Sequence, residues 1–168
     1  MSPFVSIIMG STSDLPIMEK AAILLNELQI PFELQALSAH RTPEEVAIFA
    51  KAAKEKGIKV IIAAAGMSAH LAGVIASMTT LPVIGVPINS SLDGMDALLS
   101  IVQMPPGIPV ATVGINAAQN AAILAARILS VSDTELGNRL EVYKNTLKEK
   151  VIKANDEISR IRYTFKTN

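Results

Sequence analysis

The strongest constraint on this chain is an alternation. Five short apolar runs, at residues 4–9, 32–37, 60–65, 83–86 and 110–113, are separated by stretches with helical spacing. The runs are mostly continuous rather than alternating and rich in β-branched residues, the pattern of strands covered on both faces. The stretches between and after them, roughly 15–28, 43–56, 69–78, 96–103 and 117–129, predict helices. Strand alternating with helix implies a parallel sheet with right-handed crossovers. Five such units predict a three-layer, flavodoxin-like α/β domain.

Helix starts are legible as well. Thr42-Pro43-Glu44-Glu45 predicts a capping box with proline at the first helical position, and Ser132-Asp133-Thr134-Glu135 predicts another. The second opens a last helix over about 133–162, with Leu136, Leu140, Tyr143, Leu147, Val151, Ala154, Ile158 and Ile161 on one stripe. At 1.5 Å per residue it would span about 45 Å, longer than the domain needs. The expected organisation is an α/β catalytic domain at 1–130 and a C-terminal helical extension at 131–168 that packs on a neighbouring subunit.

Charge placement points the same way. Between Lys59 and Asp93 only His70 can carry charge, and between Asp96 and Arg127 nothing does. Gly66, His70, Gly73, Pro82 and Gly85 interrupt that stretch too often for a membrane helix. A middle buried partly by other copies of the chain is the remaining reading. The net charge is zero, which provides no electrostatic footprint for nucleic acid or an anionic membrane. Without cysteine, thiolate chemistry and cysteine metal sites are excluded, and two histidines leave little for a metal. Met1 to Met9 lack a basic n-region and a cleavage pattern, so the cytoplasm is the expected location.

In open parallel sheets, ligands gather at the carboxyl ends of strands. Three loops stand there: Gly10-Ser11-Thr12-Ser13-Asp14, Ser38-Ala39-His40-Arg41-Thr42-Pro43 and Gly66-Met67-Ser68-Ala69-His70-Leu71. They hold both histidines and the only arginine before Arg127. The first loop suits an anion at a helix N-terminus, although the dinucleotide fingerprint and the lysine-bearing P-loop are absent. Asp14 would repel phosphate and suits ribose hydroxyls; the alternative is an ordinary serine or aspartate N-cap. Arg41 can grip phosphate through two parallel hydrogen bonds, and His40 can move a proton near neutral pH. Their alternative is a solvated loop pair. His70, among small and apolar residues, is open to a functional or a satisfied structural reading.

Five motifs then occur in order: Gly10-Ser11-x-Ser13-Asp14; Ser38-Ala39-His40-Arg41-Thr42-Pro43; Ala69-His70-Leu71-x-Gly73-Val74; Pro82-Val83-x-Gly85-Val86-Pro87; and Leu99-Ser100-Ile101-Val102-Gln103-Met104-Pro105-x-Gly107-x-Pro109-Val110. Over about residues 4–130 the chain resembles the 5-(carboxyamino)imidazole ribonucleotide mutases, the bacterial class of the aminoimidazole ribonucleotide carboxylase family of purine biosynthesis. The resemblance implies an isomerase that moves a carboxylate from the exocyclic nitrogen to ring C4 of an aminoimidazole ribonucleotide, without metal or organic cofactor. It implies that His40 is the general acid/base. Ser11, Asp14 and Arg41 match substrate-binding positions, with Ser13 and Ser38 at the phosphate end. His70 matches a histidine of the loop over the reacting base, and the family assembles as a homo-octamer.

The chemistry of such a shift needs CO2 held close between its release and its recapture. The small, apolar loop from Gly66 through Ser68 and Leu71 to Gly73 can supply a dry pocket. Two departures stand out. Many relatives carry Gly-Ala where this chain has Met67-Ser68, and proline where it has Ala72. Met67 is therefore expected to narrow the pocket or change its backbone freedom. The related class that carboxylates aminoimidazole ribonucleotide directly with CO2 tends to have lysine where Arg41 stands, so Arg41 and the 99–102 motif favour the mutase.

Three further readings fit less well. A flavodoxin-like FMN module would need aromatic rings to stack the flavin, and only 4% of residues are aromatic. A receiver domain would need an acidic cluster after the first strand and an aspartate after the third. A purely structural assembly protein would not need His40 and Arg41 side by side.

Overall fold

The computed structural model describes residues 4–168. Five strands, β1 (Val5–Met9), β2 (Phe32–Ala36), β3 (Val60–Gly66), β4 (Val83–Ile88) and β5 (Ala111–Thr112), form one parallel sheet in the order β2-β1-β3-β4-β5. Between and after them run α1 (Leu15–Glu27), α2 (Pro43–Ala52), α3 (Leu71–Ala76), α4 (Met95–Val102), α5 (Ala118–Ser130) and α6 (Thr134–Arg160). This is the three-layer, flavodoxin-like arrangement expected from the alternation.

The two-residue period of each strand divides its side chains between two cores. Val5, Ile7 and Met9 of β1, with Val60 and Ile62 of β3, face α1 and α5. Ile8, Ile61 and Ala63 face α2, α3 and α4. Both sets are buried, so each fully covered isoleucine contributes roughly 1.5–3 kcal/mol. Gly85 lets α4 approach the sheet, because a Cβ there would collide with Ile101 Cγ2 and lie 3.1 Å from Val110 Cγ1.

Some local expectations need correction. β2 is an edge strand and is only half covered, with Leu34 40% exposed. β5 keeps only Ala111–Thr112 of the expected run 110–113, although Val113 N–H still donates to the Gly85 carbonyl of β4 at 3.1 Å. α2 ends at Ala52 rather than near 56, and α3 is confined to six residues. The box expected at Thr42 does not form: Thr42 makes no side-chain cap bond. Its hydroxyl donates to the Ser38 carbonyl (3.1 Å) and accepts from the Ser38 N–H (2.9 Å), closing the loop instead. At the last helix the cap is Asp133, not Ser132, with its carboxylate accepting from Leu136 N–H at 2.9 Å.

The start of α6 belongs to the core. Leu136 is buried, Leu140 and Tyr143 pack beside it, and Arg139 Nε donates to the Leu28 carbonyl at 2.9 Å. From Lys144 to Phe165 every residue is exposed, including Val151, Ile158 and Ile161. Among the described residues no helix is long and apolar enough to cross a membrane.

Candidate active site

Because all strands are parallel, the loops after β1, β2, β3 and β4 emerge at one sheet edge. β1 and β3 are neighbours whose following helices lie on opposite faces, which opens a crevice between their loops. An open pocket of about 600 Å³ sits there. That volume falls within the range of small-ligand sites. Ser11, Ser13, Asp14, Ser38, His40, Arg41, Gly66, Ser68, His70 and Leu71, named above from three separate loops, all line it.

The loop after β1 begins with Gly10 N–H bonded to the Ala64 carbonyl (3.0 Å), which continues the ladder. Ser11 is extended, and its hydroxyl accepts from Ser13 N–H at 3.3 Å, opening one turn of 3₁₀ helix over Thr12–Asp14. So a serine N-cap is present, but Asp14, at the start of α1, makes no cap bond with its side chain. Its carboxylate accepts a long 3.4 Å hydrogen bond from Ser13 Oγ. Asp14 is buried, and desolvation raises its pKa above the ordinary 3.8, against the opposing pull of the Ser13 hydroxyl, the Ser11 backbone and the Arg41 charge.

This sets a stability cost with a definite sign. The folded chain holds the Asp14 proton to higher pH than the unfolded chain does. Stability therefore falls as pH rises from 3.8 through the raised value, and the full cost is present above it. Asp14→Asn is expected to raise the Tm of the ligand-free protein at about pH 7, with the gain shrinking as pH falls through that window. The same variant should bind ribonucleotide more weakly. Thermal unfolding across pH, beside direct binding, checks both; an unchanged or lower Tm at neutral pH would contradict the assigned cost.

After β2, the Thr42 hydroxyl fixes Ser38, and Ser38 Oγ accepts from Arg41 N–H (3.2 Å) and Arg41 Nε (3.4 Å). Arg41 Nη2 donates to the Gly10 carbonyl at 2.9 Å. The guanidinium thus spans two loops. Two of its five N–H donors are engaged in these bonds, which leaves three for an anion.

His40 sits at the crest of the same loop and is exposed. Its Nε2 lies 2.8 Å from Nδ1 of His70, which precedes α3. The rings meet edge to face, with centroids 5.0 Å apart and an 87° interplanar angle. A bond between two imidazole nitrogens needs one proton between them, so the pair fixes a matched set of tautomers. His70 is exposed and lines the pocket, so it is not part of the core.

Ser90, in the loop after β4, also lines the pocket and is absent from the sequence expectations. The carboxyl-end rule, carried one strand further to Asn89-Ser90-Ser91, would have found it. Its Oγ fills the space a Cβ on Gly66 would occupy, so Gly66 lets the two loops pack closely. Met67 lines the pocket with φ +56°, a region that favours glycine. Among the described residues, no three of the metal-ligating histidines and carboxylates gather in one place.

The sequence profile of the family described as AIR carboxylase matches residues 4–150. The chain belongs to the AIR carboxylase family. Within it, the N5-carboxyaminoimidazole ribonucleotide mutase of Pyrococcus horikoshii is 59% identical over 150 residues, covering 89% of this chain and 85% of that protein. The mutase of Thermotoga maritima is 52% identical over 162 residues, covering 96% and 95%. The crystal structure of Treponema denticola PurE superposes with a TM-score of 0.85 at 34% identity, covering 94% of this chain and 99% of that one. The AIR carboxylase profile runs past residue 130, into the part of α6 that packs on the core.

Proposed function

We propose that this chain is an isomerase of de novo purine biosynthesis that moves a carboxylate from the exocyclic nitrogen to C4 of an aminoimidazole ribonucleotide. The observation that carries the mechanism is the hydrogen-bonded His40–His70 pair beside a phosphate-competent Arg41 at one pocket. Arg41, with Ser13 and Ser38, binds the phosphate; Ser11 and Asp14 hold the ribose. His40 is the acid/base, and His70 gives up its bond to His40 Nε2 when the reacting base enters.

The shift is redox-neutral. The N–carboxyl bond breaks and its electron pair stays on nitrogen, which takes a proton from His40. The electron-rich C4 then attacks the released CO2, and His40 recovers the proton that C4 loses. One group serves both halves and ends in its starting state. Substrate and protein side chains account for every atom and electron, so no metal or organic cofactor enters the balance.

The deciding experiment incubates the protein with the N-carboxylated ribonucleotide and follows the C4-carboxylated isomer, with and without bicarbonate. Isomer should form at the same rate in both. Product that depends on bicarbonate, formed from the uncarboxylated ribonucleotide, would identify a direct carboxylase instead.

The active unit in this reading is a cytoplasmic homo-oligomer, an octamer by family resemblance, with residues 1–130 as the catalytic domain and 131–168 as an extension onto a neighbour. Met95, Leu99 and Val102 support it: they form an exposed apolar stripe on α4, about half exposed each, and the last two lie in the uncharged stretch after Asp96. α6, near 40 Å long at 1.5 Å per residue, adds a second exposed stripe. Sedimentation should show a large assembly, and a stable, active monomer would overturn the reading. A truncation after Tyr143, which keeps Leu136 and Leu140 in the core, should weaken assembly before it affects folding.

A further inference from the structure

We propose that Ser90 binds the carboxyl group carried by the reacting base, and that Asn116 is the positioning residue that holds Ser90 in place; the inference rests on the isomerase reading above. The sheet edge places Ser90. β1 and β3 pair as far as Met9–Ala64, and one further bond, from Gly10 N–H to the Ala64 carbonyl, ends their ladder. β3 and β4 stay paired beyond that point, through Ala65–Pro87 to Gly66–Ile88. The crevice therefore opens between β1 and β3, with the end of β4 lying along its β3 wall. Ser90 follows two positions after Ile88, and its Oγ takes the space of a Gly66 Cβ. Its hydroxyl stands at the root of the loop that carries His70.

The strand order β2-β1-β3-β4 sets which part of a ligand that hydroxyl meets. Arg41 follows β2 and reaches Gly10 at the end of β1, and Asp14 follows β1. A ribonucleotide with its phosphate at Arg41 and its ribose at Asp14 brings its base to the β3 loop. The groups that project further meet the β4 loop, and these are the exocyclic nitrogen and C4, between which the carboxylate moves. No lysine or arginine occurs between Lys59 and Arg127, so the β3 and β4 loops can offer that carboxylate only neutral donors and His70. This suits the chemistry. A cation would stabilise the carboxylate more than the transition state in which its charge leaves with the C–N electron pair, whereas a hydroxyl holds it less firmly.

The loop is built to keep that hydroxyl still. Asn116 N–H donates to the Pro87 carbonyl at 2.8 Å, and Asn116 Oδ1 accepts from Asn89 N–H at 2.9 Å. Its φ of +57° is one that asparagine adopts more readily than most residues. On the other side, Gly94 N–H donates to the Ser91 carbonyl at 2.7 Å, and the Ser91 hydroxyl donates to the Asp96 carboxylate. The polar groups flanking Ser90 are spent on the loop itself. Among the described residues none hydrogen-bonds the Ser90 hydroxyl, which is exposed in the pocket lining.

The test compares kcat/KM for the N-carboxylated ribonucleotide with Ki for uncarboxylated aminoimidazole ribonucleotide as a competitor. Ser90→Ala should lower kcat/KM about tenfold or more, as for a hydrogen bond to a charged group, and should leave Ki within about twofold. Asn116→Gly, which suits the backbone and removes the tether, should cause a smaller loss with the same selectivity. Asn116→Asp keeps an oxygen for Asn89 N–H and should stay near the parent. Ser90→Ala with the parent's kcat/KM, or with equal losses in kcat/KM and in affinity for the competitor, would overturn the proposal and leave the isomerase reading standing. A selective loss in Ser90→Ala but none in Asn116→Gly would overturn the part given to Asn116. A parent that forms no isomer would defeat the isomerase reading itself, and the proposal with it.

Discussion

His40→Asn is expected to lose turnover by at least about 10²–10⁴-fold, the usual contribution of a general acid/base, while still binding the ribonucleotide and assembling normally. The upper end is expected because the same imidazole serves both halves of the shift. Asparagine preserves the approximate size and some hydrogen bonding, but it cannot exchange a proton near neutral pH. His70→Asn should cost less. It removes the ring 2.8 Å from His40 Nε2 and so disturbs orientation, but it leaves the proton carrier in place. Turnover measured beside direct ligand binding separates the two. If His40→Asn stays within about tenfold of the parent while His70→Asn is inactive, the roles are reversed.

Arg41→Ala should weaken binding of the phosphorylated substrate by about 1–3 kcal/mol, as for a charge-assisted contact. That corresponds to roughly 5- to 150-fold in Kd. Arg41→Lys keeps the charge yet loses the planar fork and the span from Ser38 Oγ to the Gly10 carbonyl, so it should recover only part of the loss. The control is the dephosphorylated nucleoside, whose affinity should change little. Equal losses for nucleotide and nucleoside would mean that Arg41 does not read the phosphate, and that its part is to tie two loops together.

The layout of the site was largely legible. Its named residues follow β1, β2 and β3, and parallel strands must deliver their loops to one edge. What could not be read were the contacts across loops. Thr42 looks like a helix cap because Glu44 and Glu45 follow a proline, yet its hydroxyl has two partners on Ser38 that compete with the capping bond. Ser132 loses the last cap to its neighbour Asp133 because of where the chain enters α6. Ser90 stands out by no local pattern, and its place in the pocket lining and its fit against Gly66 emerge only from the packing of two loops.

The amino-acid sequence alone determined the α/β alternation, the long last helix and three of the four loops that line the pocket. Each depends on periodicity or on residues close in the chain, and local sterics and burial act at that range. Only the tertiary structure decided that β2 is an edge, that Leu136 anchors α6 in the core, that His40 meets His70 across 30 positions, and that Met67 takes a left-handed backbone. Those features depend on strand order and on crossover packing. Both are set by long-range burial, which a local pattern does not encode.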